Sequence, residues 1–152
     1  MGSTLSAIER ERLIDVYLEV RAATVELCEP LSAEDMAVQS MPAASPTKWH
    51  LAHVTWFFET ILLTRHQPGY ERFDPRFHDL FNSYYQSLGD PYPRDKRGLL
   101  SRPTVAEVFA YRRYVDEAIT NLLANASEEI ADLVKVGSVS YTHLTLPTIC
   151  SV

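Results

Sequence analysis

Apolar residues recur at helical spacing in four stretches of the chain, and capping signals open each of them. Ser6 and Glu9 form a capping box, in which hydroxyl and carboxylate satisfy the orphan amide donors of a helix start. Behind it Leu13, Val16, Val20, Ala23 and Leu27 step by threes and fours, which predicts a helix to about Cys28, stopped by Pro30. Its other face, with Glu9, Arg10, Glu11, Arg12, Asp15 and Glu19, reads as solvated. Ser45 as cap and Pro46 as first residue open a second helix over residues 46–66. There Trp49, His53, Trp56, Thr60 and Leu63 make one stripe and His50, Val54, Phe57 and Ile61 the next. So wide an apolar face predicts burial between neighbours.

Thr104 and Glu107 form another capping box, and Val105, Val108, Phe109, Arg112, Val115, Ile119 and Leu122 predict a third helix ending near Asn125. Ser127 opens a fourth, apolar at Ile130, Leu133 and Val134 and cut off at Gly137. The connection over residues 67–103 is too long to be structureless in a compact domain. Asp74 and Pro75, then Phe77, Phe81, Tyr84 and Leu88 at helical spacing, then Gly89, predict a short helix inside it. The pattern is that of an all-α protein: an antiparallel four-helix bundle with a long connection between helices two and three.

The last residues, 138–152, break the pattern. "SVSYTHLTLPTICSV" holds no Asp, Glu, Lys or Arg, and from Val139 it resembles a translated sequencing adapter. The expectation is therefore one incomplete domain over residues 1–137, with a fourth helix truncated by a non-native tail; a genuine C-terminal β-strand is the alternative. On that reading His143 and Cys150 carry no functional information.

Composition narrows the function. The chain has 152 residues, 46% hydrophobic and 22% charged, as expected of a single globular domain. Its 14 basic against 20 acidic side chains give a net charge of −6, and no Lys/Arg-rich run points to nucleic acid or an anionic membrane. A small solute is the expected partner. The longest apolar run, residues 54–63, falls short of the roughly 20 residues that cross a bilayer. The N-terminus lacks a signal-peptide core, so the expected location is cytoplasmic. Two cysteines, Cys28 and Cys150, make no disulfide framework.

Candidate chemistry rests on histidine. His53, on the apolar face of the second helix, is either a core residue or a metal ligand; His50 precedes it by three residues, near enough to share a metal. His66 suits a helix C-terminus, His78 reads as a surface residue, and Glu59 as either a solvated glutamate or an acceptor for an imidazole. Arg94, Lys96, Arg97 and Arg102 are either solvated or poised for carboxylates.

The stretches "SPTKWHLAHVTWFFET", "RFHDLFNSYYQSLG", "RGLLSRPTVAEV" and "YRRYVDEAI" occur in that order. Together they resemble the N-terminal DinB-like domain of the sulfoxide synthases of ergothioneine biosynthesis. The resemblance covers essentially residues 5–137. It implies a DinB-like bundle followed, in the parent protein, by a domain similar to the formylglycine-generating enzyme. In that family a non-haem Fe(II) held by three histidines uses O₂ to join γ-glutamylcysteine or cysteine to hercynine. His53 matches the family's first iron ligand, whereas His50 matches a position that is not a ligand. The other two ligands form an HxxxH pair on the fourth helix, expected just past Gly137 and absent here. Arg94 and Arg97 match the arginines near the thiol substrate's carboxylates. The resemblance thus implies a fragment with no catalytic residue of its own, inactive alone. Two alternatives stay open: a stand-alone DinB-like thiol transferase, and a non-enzymatic helical binding module.

Overall fold

A computed structural model describes residues 4–83 and 86–149. In chain order the helices are α1 (Ala7–Glu26), α2 (Ala33–Ala37), α3 (Thr47–Phe58), α4 (Thr64–His66), α5 (Phe77–Leu80), α6 (Val105–Leu123) and α7 (Glu128–Ile149). A π-helical stretch, Glu59–Leu63, joins α3 to α4 into one continuous rod, and 3₁₀ turns span Gln86–Leu88 and Arg94–Leu99. The long elements α1, α3–α4, α6 and α7 form the four-helix bundle. Among the described residues the β pairing is limited to the isolated bridges Thr4–Ser127 and Met41–Ala44. No helix among them is long and apolar enough to cross a membrane.

The helix directions differ from the simple antiparallel expectation. At the start of α1 and of α7, Thr4 bridges Ser127 and Arg10 donates to the Ala126 carbonyl, so these two helices run the same way. Farther along α1, Arg21 reaches Asp116, in the reverse register of α6. Lys48 donates to the carbonyl of Pro103, Arg112 to that of Leu51, and the Tyr70 ring lies 6.1 Å from that of Tyr114, so α3 and α6 are parallel. A parallel pair needs a connection that travels back along the bundle. That is the physical reason for the length of the segment between His66 and Val105.

Both predicted capping boxes form, at Ser6/Glu9 and Thr104/Glu107, and a third at Ser32/Asp35 opens α2, which the apolar pattern did not indicate. Ser45 is not a cap. Pro46 occupies that place without a side-chain bond, and the Ser45 hydroxyl accepts from Arg97 instead. The buried face of α1 is also rotated from the predicted stripe. Leu13, Tyr17, Arg21, Thr24 and Cys28 are buried, while Val16 is 42% exposed. The reason is Arg21, whose Nε lies 2.7 Å from Asp116 and whose Nη2 donates to Thr55. Tyr17 donates to the same carboxylate at 2.6 Å. Pairing lets a guanidinium occupy a core position that hydrophobicity alone assigns to valine. The predicted helix over residues 75–88 is broken: α5 ends at Leu80, a turn resumes at Gln86, and Tyr84 lies outside the described residues. At the other end, α7 stays helical through Gly137 to Ile149, past the expected stop and in place of the alternative strand. Residues 150–152 lie outside the described residues.

Glu59 is fully buried at the start of the π-helical stretch. Its carboxylate accepts from the hydroxyls of Tyr70 (2.6 Å) and Tyr111 (3.0 Å), from Arg72 (3.3 Å) and from the amide of Phe73 (3.4 Å). It therefore ties the beginning of the long connection to α3 and α6. The expectations of a solvated glutamate or an imidazole partner both give way to this anchoring role. Removing the carboxylate strands four donors, so Glu59→Ala should lower stability by about 3 kcal/mol or more. Chemical denaturation checks this; a loss under about 1 kcal/mol would contradict the anchoring role.

Candidate functional site

The centre of interest is a ladder of rings on one face of α3. The indole of Trp49, the imidazole of His53 and the indole of Trp56 follow one another at steps of four and three. Ring centroids lie 5.0 Å apart for Trp49 and His53 and 5.8 Å for His53 and Trp56, with planes inclined by only 13° and 17°. Each ring nitrogen facing the connection meets a backbone carbonyl there. Trp49 Nε1 donates to Leu80, Trp56 Nε1 to His78, and His53 Nδ1 lies 2.6 Å from the carbonyl of Phe81. Helical spacing thus aligns three donors with one turn of α5 and the residue after it.

That geometry sets the state of His53. A carbonyl oxygen only accepts, so Nδ1 carries the proton and the lone pair stands on Nε2. The ring is buried, and burial pushes its pKa down to about 4 against the smaller upward pull of the Phe81 carbonyl. It is therefore neutral near pH 7. A neutral imidazole with its proton fixed on Nδ1 by a carbonyl is the form that donates Nε2 to a transition metal.

Around this ladder the structure gathers several of the residues singled out by sequence. The Arg97 guanidinium carbon lies 3.5 Å from the Trp49 ring centroid. Arg97 is itself buried, donating to Ser45, Ser83 and the Tyr92 carbonyl. It is held rigidly by the loop as well as by the indole. Arg94 is exposed, one turn earlier in the same 3₁₀ segment, and its carbonyl accepts from Gln39. His50 sits edge-on to Trp49 at 5.7 Å, with Nε2 buried and lacking a hydrogen-bond partner. Burial pushes its pKa down to about 3, helped by His53 and by the guanidiniums of Arg97 and Arg94. His78 is no plain surface residue. Its Nε2 donates to the Leu88 carbonyl at 2.9 Å and its Nδ1 is buried. His66 stays at the helix end, as expected, apart from the ladder.

A single imidazole does not hold iron, and among the described residues no group of three or more His, Cys, Asp or Glu converges for a metal. His53 fits one ligand position; a full set needs donors from elsewhere. Helix α7 packs against this part of α3. A Cβ at Gly137 would come within 2.6 Å of the Phe57 ring and 2.9 Å of Phe58, so the backbones of α7 and α3 approach closely only because this residue is glycine. The two helices are antiparallel, so four residues past Gly137, about 6 Å of helix, α7 draws level with His53.

Sequence reasoning singled out His53 but missed what holds its ring in place. Trp49 and Trp56 had the spacing of the ladder, yet nothing in the pattern showed that residues 78–81 would present their carbonyls to it. The buried clamp of Arg97 was equally invisible, because an arginine in a charged loop reads as solvated. Residues 17–139 match the family model of the DinB superfamily. Among curated proteins none matches the chain.

Two neutral histidines, His53 buried and His50 half-buried with its Nε2 enclosed, make the metal-free chain sensitive to acid. Unfolded, both titrate near the usual value of about 6.5, and folded they titrate lower, so the unfolded state takes up protons first. Their contribution is fully present above that value and is lost as the pH falls from about 6.5 toward 4. Urea unfolding at pH 7 and pH 5.5 should differ by about 2 kcal/mol, and His53→Gln should remove about half of that difference. A stability unchanged across this range would contradict the buried neutral state.

Proposed function

The chain belongs to the DinB superfamily, and from that premise we propose that it is the N-terminal bundle of a non-haem iron sulfoxide synthase, in which His53 is the first metal ligand. The single observation that carries the reading is the preparation of His53: buried, neutral, proton fixed on Nδ1 by the Phe81 carbonyl, lone pair on Nε2. The ordered resemblance of its four sequence stretches to the ergothioneine synthases chooses this activity among those of a superfamily in which metal-dependent enzymes are common.

On this reading the parent protein adds two histidines on its fourth helix, where α7 draws level with His53, and a second domain similar to the formylglycine-generating enzyme. Fe(II) so held would activate O₂ for joining γ-glutamylcysteine or cysteine to hercynine. The work of this chain's residues is positional. The Trp49–His53–Trp56 ladder keeps the ligand ring from turning, and the Phe81 carbonyl keeps its tautomer. Arg97, locked against Trp49, and Arg94 beside it supply positive charge for the carboxylates of the thiol substrate. With one ligand of three, the chain alone binds iron weakly and is inactive.

The test is to extend the chain with the genomic sequence that follows Gly137 and assay it with Fe(II), O₂, hercynine and γ-glutamylcysteine. A sulfoxide product detected by mass spectrometry is expected, and His53→Ala should weaken iron binding roughly a hundredfold or more. Iron-independent turnover, or thiol transfer without O₂ uptake, would replace the synthase with the stand-alone transferase. Absence of any metal binding would leave the binding-module reading. In the active protein Arg94→Ala should raise KM for the thiol about tenfold with little change in kcat; an unchanged KM would remove Arg94 from the substrate site.

A further inference from the structure

At the far end of α3–α4 from the start of the ring ladder lies a cavity of about 450 Å³, between the turn that follows α4 and the second half of α6. Two tyrosine rings help to line it, Tyr70 and Tyr114, with centroids 6.1 Å apart and planes inclined by 47°. Both rings are fixed at their hydroxyl ends. Tyr70 donates to the buried carboxylate of Glu59 at 2.6 Å, and Tyr114 to the backbone carbonyl of Glu71 at 2.7 Å. Neither hydroxyl proton is therefore directed at a ligand, and what the pair offers the cavity is ring surface. Glu71 and Glu117 also line it, no lysine or arginine does, and neither carboxylate takes part in an ion pair among the described residues. The arginines lying over rings among the described residues are Arg21 and Arg97, both elsewhere.

We propose that this cavity binds a small, weakly hydrated organic cation against the rings of Tyr70 and Tyr114, with Glu71 and Glu117 balancing its charge. Aromatic faces carry the negative end of the ring quadrupole and attract a cation within about 6 Å. A weakly hydrated cation gives up little on leaving water, whereas a metal ion would ask for oxygen ligands that two rings do not supply. The volume falls within the range of about 300–1,000 Å³ usual for small-molecule sites. Because both rings are already tethered, binding orders little that is not ordered beforehand. The site is independent of the metal reading.

The probe is choline, titrated into the ¹⁵N-labelled, metal-free chain at constant ionic strength and followed by amide chemical shifts. Saturable shifts confined to residues 67–71 and 114–121 are expected. The neutral isostere 3,3-dimethylbutan-1-ol has the same shape without the charge, and should bind about tenfold more weakly. Glu117→Gln, at an exposed position that keeps the fold, should weaken choline severalfold, and Tyr114→Leu should abolish the shifts. Equal shifts with the isostere, or no saturable shifts in these segments at concentrations of roughly 50 mM, far above common millimolar affinities, would overturn the proposal.

Discussion

The hydrogen bond from His53 Nδ1 to the carbonyl of Phe81 is the contact on which the rest of the site depends. It fixes a tautomer, which fixes the nitrogen left with a lone pair, which fixes the direction from which anything can coordinate. It also joins the bundle to the connection: the carbonyls of His78, Leu80 and Phe81 receive Trp56, Trp49 and His53 in turn. Three buried ring nitrogens would be stranded if that turn moved away, at roughly 1–3 kcal/mol each. The same bonds that orient the histidine therefore hold the crossing segment against α3.

Two further polar anchors make that arrangement possible. Glu59 gathers Tyr70, Arg72, the Phe73 amide and Tyr111, so the connection leaves the end of α4 along one path. On the other side of α3, Arg21 and Arg112 link α1, α3 and α6 through Asp116, Thr55 and the Leu51 carbonyl. Burial pushes the Arg112 pKa down to about 9, aided by the neighbouring Arg21, which marks how little water reaches this layer. Buried charge of this kind adds less to stability than an apolar core would, but it sets a register that apolar stripes do not specify. Parallel α3 and α6 need such a register, since no short turn connects them.

The sequence disclosed the frame and not its joints. Two predicted capping boxes, the wide apolar face of α3 and the length of the connection were visible because each follows from local periodicity or a fixed spacing. The rotation of α1 was not, because Arg21 is buried through Asp116 and Thr55, 95 and 34 residues away in sequence, and hydropathy assigns an arginine to solvent. Glu59 was misjudged for the same reason. His53 could be singled out from its place on an apolar face, and the resemblance gave it a role. Its tautomer depended on a carbonyl in a loop, which no side-chain pattern encodes. Arg97 shows the same limit in reverse, as a charged loop residue that proves to be clamped beneath an indole.

The most direct measurement of this account is the ¹⁵N spectrum of the His53 ring in the metal-free chain, with the signal assigned by comparison with His53→Gln. The ring should be neutral at pH 7, protonated at Nδ1 with an imine-type shift at Nε2, and unchanged as the pH is lowered to about 5. A ring protonated at Nε2, or one that titrates near the ordinary value of about 6.5, would contradict it and leave His53 without the prepared lone pair on which the proposed metal site rests.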